Sequence, residues 1–383
     1  MTWGLVMLLV LVLALGIDHY FGEPHLKIHP VVWMGQYLQV CGRFTVRCSP
    51  VPAFVLGATA WWVGVIMTGA LAWYLQVFTL HQLARYASEN ANVHTYGNIG
   101  GNVLGATAWW AGVIMTGALA WYLQVLTLHQ LARYTNESAN GNIGGNVSVA
   151  GCLALSGMIL MAWFLKSMLS WRMLHAEVSA VETALQQSLQ AGRDRLSWLV
   201  SRDTRLLSDT EVRESAIESL AENLNDSVVA PIFWFLLFGL PGAAIYRFAN
   251  TADAMWGYRG MREGVCWEWA GKWAAWCDDV LSWLPARLTA LMLAFAAGGL
   301  SLKALSIEAR KTPSPNSGWP MAAMALIIGV SLQKPGVYKL NPEGQPPQTS
   351  DTQAAQKYAS KVVFMLSGGA QLAILFIALI KFL

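Results

Sequence analysis

The run from Val228 to Phe248, VVAPIFWFLLFGLPGAAIYRF, constrains this chain more than any other stretch. It is apolar enough to enter a bilayer and close to the roughly 20 residues that a crossing helix needs. Similar apolar blocks recur at 3–17, 57–86, 149–165, 286–302 and 362–383, separated by charged loops. A typical soluble domain carries about 25% charged residues, whereas this chain carries 12% against 55% hydrophobic. The pattern predicts an all-α, polytopic integral membrane protein with about 5–8 membrane segments and a charged helical loop region. Nineteen tryptophans, many near block ends, fit interfacial anchoring. A net charge of +3 is too small to imply nucleic acid, and the partner that composition does imply is the lipid bilayer. Five cysteines without a CxxC pair give neither a disulfide framework nor a zinc signature.

Polar residues crowd both ends of this run. Before it comes SDTEVRESAIESLAENLND, in which Ser208-x-x-Glu211 is a capping-box pattern that starts a helix. On that helix Glu211, Glu214, Glu218 and Glu222 fall at steps of three and four, one acidic stripe opposite Val212, Ala216, Ile217, Leu220 and Leu224. Glu211 and Glu214 read as a solvated face. Glu222, Asn223 and Asp226 are harder to read that way, because they are about to enter the apolar run. After the run comes ANTADAMWGYR, where Asn250 and Asp253 are one helical turn apart and point the same way. Gly239-Leu-Pro241-Gly242 interrupts the middle of the run. A re-entrant hairpin there keeps the two polar flanks on one side of the membrane, whereas a single kinked span separates them. Irregular backbone at membrane depth is tolerated only where protein or water covers it.

The chain divides into three regions. Residues 1–165 hold N-terminal membrane helices with a tandem duplication, 57–103 and 105–147; residues 166–226 are a charged helical loop; residues 227–383 are a C-terminal membrane region with substrate-facing loops. The first helix ends in a loop with Asp18, Glu23, His19, His25 and His29, where Pro24 and Pro30 disrupt any helical spacing for a metal site. Its N-terminus lacks the basic start and cleavage pattern of a signal peptide, so a retained first helix is expected. In the duplication, residues 57–86 return at 105–134 with 28 of 30 positions identical. An added span would reverse the sidedness of everything after it, so the second copy is expected not to span or to pair back as a re-entrant element. The 166–226 region carries seven Lys/Arg and ten Asp/Glu. The apolar stretch MAAMALIIGV, 321–330, is too short to cross alone.

Several long motifs resemble the CobD/CbiB family of cobalamin biosynthesis. They are AENLNDSVVAPIFWFLLFGLPGAAIYRFANTADAMWGYR, DDVLSWLPARLTA, SPNSGWPMAAMALIIGV and LQKPGVYKL, together with the early GEP…HPVVWMG and LSWLVSRDT. The family is described as adenosylcobinamide-phosphate synthase, an integral membrane ligase. The resemblance implies ATP-dependent amide formation between adenosylcobyric acid and aminopropanol or its O-phosphate, with ATP and Mg²⁺. It also implies a cell inner membrane location with polar loops on the cytoplasmic face. Homo-oligomers, or assemblies with other membrane enzymes of the cobalamin pathway, are the partners it leaves open. The chain departs from the family's usual A-R-x-D-D-x-x-N at Trp276 and Ser282, and also at Ala252 and Ser227. A related membrane family, AmpE, regarded as a signalling component, is the alternative; a transporter is disfavoured because the polar residues sit in loops.

Amide formation needs an activated carboxylate, bound phosphates and a proton acceptor. Hard oxygen ligands suit Mg²⁺, and Asp253, Asp278 and Asp279 are the candidate ligands. Glu222, Asp226 and Asp253 are the candidate catalytic carboxylates. Asn223, Asn250, Tyr258, Arg259, Arg287 and Asn316 are the candidate substrate-binding residues, the arginines offering fixed-fork donors. Each has a plainer reading: Arg259 and Arg287 as interfacial anchors, and Asp278 with Asp279 as a helix cap. No Walker-type phosphate loop appears in the sequence, so ATP use rests on the resemblance.

Overall fold

The computed structural model describes residues 3–90, 147–262 and 264–380. The second repeat copy, 105–134, and the expectation about its topology lie outside them. Helix α1 (Trp3–Phe21) is all but apolar and runs one turn past the expected end, carrying Asp18 into the protein. Helix α2 (Pro30–Thr45) shows what the histidine loop does. His29 caps it, its Nδ1 accepting the Val31 N–H at 3.2 Å. Pro30 therefore starts a helix instead of breaking one, since proline lacks only an N–H that has no partner in a first turn. His25 caps the short 3₁₀ turn Leu26–Ile28 in the same way.

Helix α3 (Pro50–Asn90) contains the whole first repeat copy. The two positions that distinguish the copies, Val63 and Phe78, are both exposed here. Helix α4 (Val147–Ser167) packs on α3 and α1. Helices α5 (Trp171–Gln187) and α6 (Leu189–Leu196) form the charged loop region with α7 (Asp209–Leu224). They share a small core of Val181, Leu185, Leu196, Leu207, Val212 and Ala216. The predicted capping box is present: Ser208 Oγ accepts the Glu211 N–H, and the Glu211 carboxylate accepts the Ser208 N–H at 2.7 Å.

Helix α8 (Ala230–Trp256) follows a π-helical turn at Asn225–Val229 and is not straight. Gly239 turns the backbone at φ 70°, ψ −158°, a region essentially reserved for glycine. The chain then doubles back. A Cβ placed on Gly242 would lie 2.3 Å from the Trp234 carbonyl oxygen, eight residues earlier; a straight helix would separate them by about 12 Å. Arg247 donates to Ser227 Oγ at 3.0 Å, across a stretch that would span about 30 Å if straight. The outward leg, 230–238, reaches only about 13 Å, well short of a bilayer core of about 30 Å. The re-entrant alternative is the one the structure adopts, and the two polar flanks meet.

Covering the tip explains how it survives at membrane depth. Gln76 of α3 is 2% exposed and its Oε1 accepts the Leu240 N–H at 2.7 Å, where the kink has removed a helical partner. Gln76→Leu is expected to destabilise the protein by about 1–3 kcal/mol by leaving that buried N–H unsatisfied. Thermal unfolding in detergent measures this, and an unchanged midpoint would show that the tip does not depend on Gln76.

Helix α9 (Glu268–Ala296) follows the β1–β2 ribbon (Met261–Arg262, Val265–Cys266). It begins well before the expected 286–302 block, so Asp278 and Asp279 lie inside a helix and do not cap one. Close approach fixes it on α8: a Cβ on Gly271 would sit 1.7 Å from the Trp256 carbonyl oxygen, the small-residue contact that lets membrane helices pack tightly. Helices α10 (Leu302–Ala309) and α11 (Gly318–Ile328), the β3–β4 ribbon (Leu332–Lys334, Tyr338–Leu340) and α12 (Thr349–Ile380) complete the described chain. Both ribbons are antiparallel and two-stranded. Among the described residues, six helical stretches are long and apolar enough to cross a membrane: 4–21, 50–87, 152–187, 209–256, 268–296 and 349–376. The reversal at Gly239 makes the fourth a dipping hairpin. The molecule is an all-α, multi-pass membrane protein, and α11 is too short to cross, as expected.

Candidate active site

Three elements converge where the hairpin enters the membrane. Helix α7 delivers Glu222. The π-turn, closed by the Ala230 N–H on the Asn225 carbonyl five residues back, delivers Asn225 and Asp226. Such turns occur often at functional sites because they break the regular helical stripe. Asn225 is fixed from both ends: its Nδ2 donates to Asp226 Oδ1 at 2.7 Å and its Oδ1 accepts from Thr289 Oγ1 of α9 at 3.0 Å.

The return leg of the hairpin supplies Tyr246, Arg247, Asn250 and Asp253, and α9 supplies Asp278, Asp279 and Ser282. Asn250 Nδ2 reaches Asp278 Oδ1 at 3.5 Å, and it also interacts with Asp226. Arg247 NH1 reaches Ser227 Oγ at 3.0 Å and the Asp226 carbonyl at 3.5 Å. Asp278 lies within electrostatic reach of Asp226, Asp253 and Asp279. Asp253 feels Asp226, Asp279 and Arg259, while Glu222 feels Asp226, Asp253 and Lys334. Five carboxylates thus face three cations, Arg247, Arg259 and Lys334. All five carboxylates are half-buried, neither sealed in the core nor fully solvated.

Other expected residues are placed differently. Asn223 bonds back to its own helix, Nδ2 to the Ser219 carbonyl at 2.9 Å. Tyr258 carries the Arg262 guanidinium over its ring at 3.9 Å. Arg287 donates to Asn316 Oδ1 at 3.1 Å and to the Pro315 carbonyl at 3.2 Å, and stacks on Trp283 and Trp319. Asn316 Nδ2 donates to the Asp279 carbonyl at 2.7 Å. Both ends of the Asn316 amide are therefore engaged by protein, and the pair braces the 314–319 loop against α9 below Asp279. Of the two stripe residues expected on a solvated face, Glu211 lies at the exposed cap of α7 and Glu214 does not. Glu214 and Glu218 are buried beneath the β3–β4 ribbon, with Arg202 NH2 on Glu218 Oε2 at 2.8 Å. Tyr338 of that ribbon lies over Glu218, and burial together with this carboxylate pushes its hydroxyl pKa up.

The departures from the family pattern separate. Ser282 stays in the polar group: its Oγ is 3.1 Å from the Tyr246 hydroxyl and 3.5 Å from Asp278 Oδ2. Trp276 points away from it. Trp276 is exposed, packs on Phe54, and helps line an apolar groove of about 490 Å³ with Trp61, Trp62, Trp234 and Trp273. Sequence reasoning passed over Arg247, although an arginine inside an apolar run is the usual mark of a functional charge. It also missed Lys166, which is fully buried and bridges Asp18 Oδ1 at 3.2 Å and Glu23 Oε2 at 2.8 Å.

Among the described residues, no three His, Cys, Asp or Glu side chains form a ready-made metal cage. The donor set still suits a hard cation. Carboxylates outnumber local cations, and Mg²⁺ takes one or two carboxylates with the rest of its shell from water and phosphates.

Fold and site together define a polytopic helical membrane protein with an acidic cluster at the mouth of a re-entrant hairpin. A family model described as CobD/Cbib protein matches residues 83–365, and the chain belongs to this family. It is similar to the probable cobalamin biosynthesis protein CobD of Thermococcus kodakarensis, 44% identical over 204 residues, covering 51% of this chain and 63% of the relative. The protein of the same description from Methanothermobacter thermautotrophicus is 44% identical over 189 residues, covering 48% and 62%. The cobalamin biosynthesis protein CobD of Chromobacterium violaceum is 49% identical over 162 residues, covering 41% and 49%. The chain therefore matches less than two thirds of the length of each. No solved structure matches it.

Proposed function

We propose that the chain acts in cobalamin biosynthesis as a ligase that joins a peripheral carboxylate of adenosylcobyric acid to aminopropanol or its O-phosphate. The product is adenosylcobinamide or its phosphate. The observation that carries this reading is the convergence of Glu222, Asp226, Asp253, Asp278 and Asp279 from three elements at one half-buried point beside the membrane. Polar groups are costly there and are retained for chemistry. The names of the relatives support the pathway.

The chemistry balances with ATP as co-substrate. The γ-phosphoryl group passes to the corrinoid carboxylate as ADP leaves. The ammonium loses one proton to become the nucleophile, its nitrogen bonds to the carbonyl carbon, the carbon–oxygen bond to phosphate breaks, and the nitrogen loses a second proton. Asp253, with Asp278 or Asp279, would hold Mg²⁺. Bound there, the ion would supply neutralisation of phosphate charge. Asp226 and Glu222 take these protons, and Arg259 faces the incoming phosphates. Asn250 orients Asp278 and offers its amide to the corrinoid rim. The location that fits ATP and the corrinoid is the inner membrane with this site on the cytoplasmic side. The signalling alternative rests on the family departures, of which Trp276 lies outside the carboxylate group while Ser282 and Ser227 lie within it.

Complementation tests the reading. A strain lacking its own synthase is expected to grow on cobyric acid when it carries this chain. Absence of growth despite good membrane expression would move the protein to the non-catalytic class.

A further inference from the structure

One set of buried charges beside the carboxylates has no task in the ligase scheme. His29 Nδ1 accepts the Val31 N–H, so its Nε2 carries the proton and donates to Glu23 Oε2 at 3.1 Å. Lys166 Nζ contacts the same oxygen at 2.8 Å and Asp18 Oδ1 at 3.2 Å. Glu23 Oε1 is left buried without a protein partner. Arg247 commits NH1 to Ser227 Oγ and the Asp226 carbonyl, and its Nε is also buried without a partner. Glu23 and Arg247 lie within electrostatic reach of each other. An orphan acceptor and an orphan donor thus lie on two half-buried side chains within electrostatic reach of each other.

A small ligand that carries both a cationic donor and an oxygen acceptor satisfies both orphan atoms together. We propose that Glu23 and Arg247 form the subsite for a small primary amine with an oxygen on the neighbouring carbon, its ammonium on Glu23 Oε1 and its oxygen on Arg247 Nε. This deepens the ligase reading and rests on it, because the amine is the nucleophile that the neighbouring carboxylates would serve. Burial works to raise the Glu23 carboxyl pKa, but the hydrogen bonds from His29 and Lys166 outweigh it and hold the group below its ordinary value. Glu23 is thus suited to hold a charged ammonium and not to deprotonate it, leaving that step to Asp226 or Glu222.

The test uses the full chain in detergent, titrated with 1-amino-2-propanol and its O-phosphate, with propyl phosphate as the probe lacking an ammonium. Glu23→Gln is expected to raise the KM for the amine about tenfold or more, the size of a lost charge-assisted hydrogen bond, while the corrinoid KM stays within about twofold. Wild-type binding of the amine, read by calorimetry without turnover, should fall by a similar factor in the variant, whereas propyl phosphate should bind both weakly and alike. Turnover by the wild type with an amine KM unchanged in Glu23→Gln would overturn the subsite and leave the ligase reading standing. Absence of turnover by the wild type would overturn the ligase reading, and calorimetry would then decide the subsite alone. Where Glu23→Gln fails to accumulate, Glu23→Asp keeps the charge but shortens its reach, and the same split between the two KM values decides.

Discussion

Asp253→Asn is expected to abolish product formation, lowering kcat at least about 100-fold, the scale on which a positioned carboxylate contributes to proton transfer or charge stabilisation. The protein should nevertheless accumulate and unfold at or slightly above the wild-type midpoint. The reason for the second expectation is electrostatic. Asp253 is surrounded by Asp226 and Asp279, with Arg259 as the compensating cation, so the isosteric amide removes like-charge repulsion without changing volume. A residue kept for structure would lose stability on such a change, and this one should lose only activity. Single-turnover assays with purified protein and a thermal melt of the same sample separate the two readouts. Activity within about threefold of wild type would remove Asp253 from the site. The side chain lies against the backbone of Gly257, where an added Cβ would fall 2.0 Å from Asp253 Oδ1. Gly257→Ala should therefore reproduce part of the loss by displacing the carboxylate without changing its chemistry.

What could be read from the residues follows the range of the interactions. The capping box at Ser208 and Glu211 is local, and it forms as its spacing says. The reversal at Gly239 was legible as one of two outcomes, because Gly-Leu-Pro-Gly breaks a helix whichever way the chain continues. What favours the hairpin is Gln76, more than 160 residues earlier in sequence, whose amide oxygen accepts the buried Leu240 N–H. No periodicity reports that contact. The acidic stripe of α7 forms as its spacing says, and the solvated face expected of Glu211 and Glu214 holds at Glu211 and fails at Glu214. It is covered by the β3–β4 ribbon, and in sequence that ribbon is a Pro- and Gly-containing stretch with little strand pattern. Arg247 was in plain view inside the apolar run, and its partners Ser227 and Asp226 become neighbours only once the chain turns back. Asn250 and Asp253 could be paired from helical spacing alone. That Asp278 joins them required knowing that α9 packs on α8 through Gly271. The site is thus a product of tertiary contacts, with only its component helices written locally.

Lys166→Met is expected to produce the largest loss of stability of any single change considered, about 3–5 kcal/mol. Lys166 is 0% exposed and Asp18 is 1% exposed, so neither charge can turn to water when its partner is removed. Methionine fills nearly the same space, so the loss would report the uncompensated carboxylates and not a cavity. Asp18 would keep the Arg172 N–H at 2.9 Å, and Glu23 would keep His29, but neither contact supplies the buried positive charge that balances both acids. Adding Asp18→Asn to Lys166→Met should recover a large part of the loss, because the amide can still accept the Arg172 N–H and no longer needs a cation. Denaturant melts of the two single variants and the double variant give the coupling directly. A single Lys166→Met change worth under about 1 kcal/mol would place the pair in the range of exposed ion pairs and contradict its burial. The pair also bears on the site, because the chain just after Lys166 is tied to the π-turn by the Ser170 N–H on the Ser227 carbonyl at 3.1 Å. Ser227 is in turn the residue that holds Arg247. Disturbing Lys166 should therefore move Arg247 before it unfolds the protein, so at temperatures below the melt the variant should already show a raised KM for the amine.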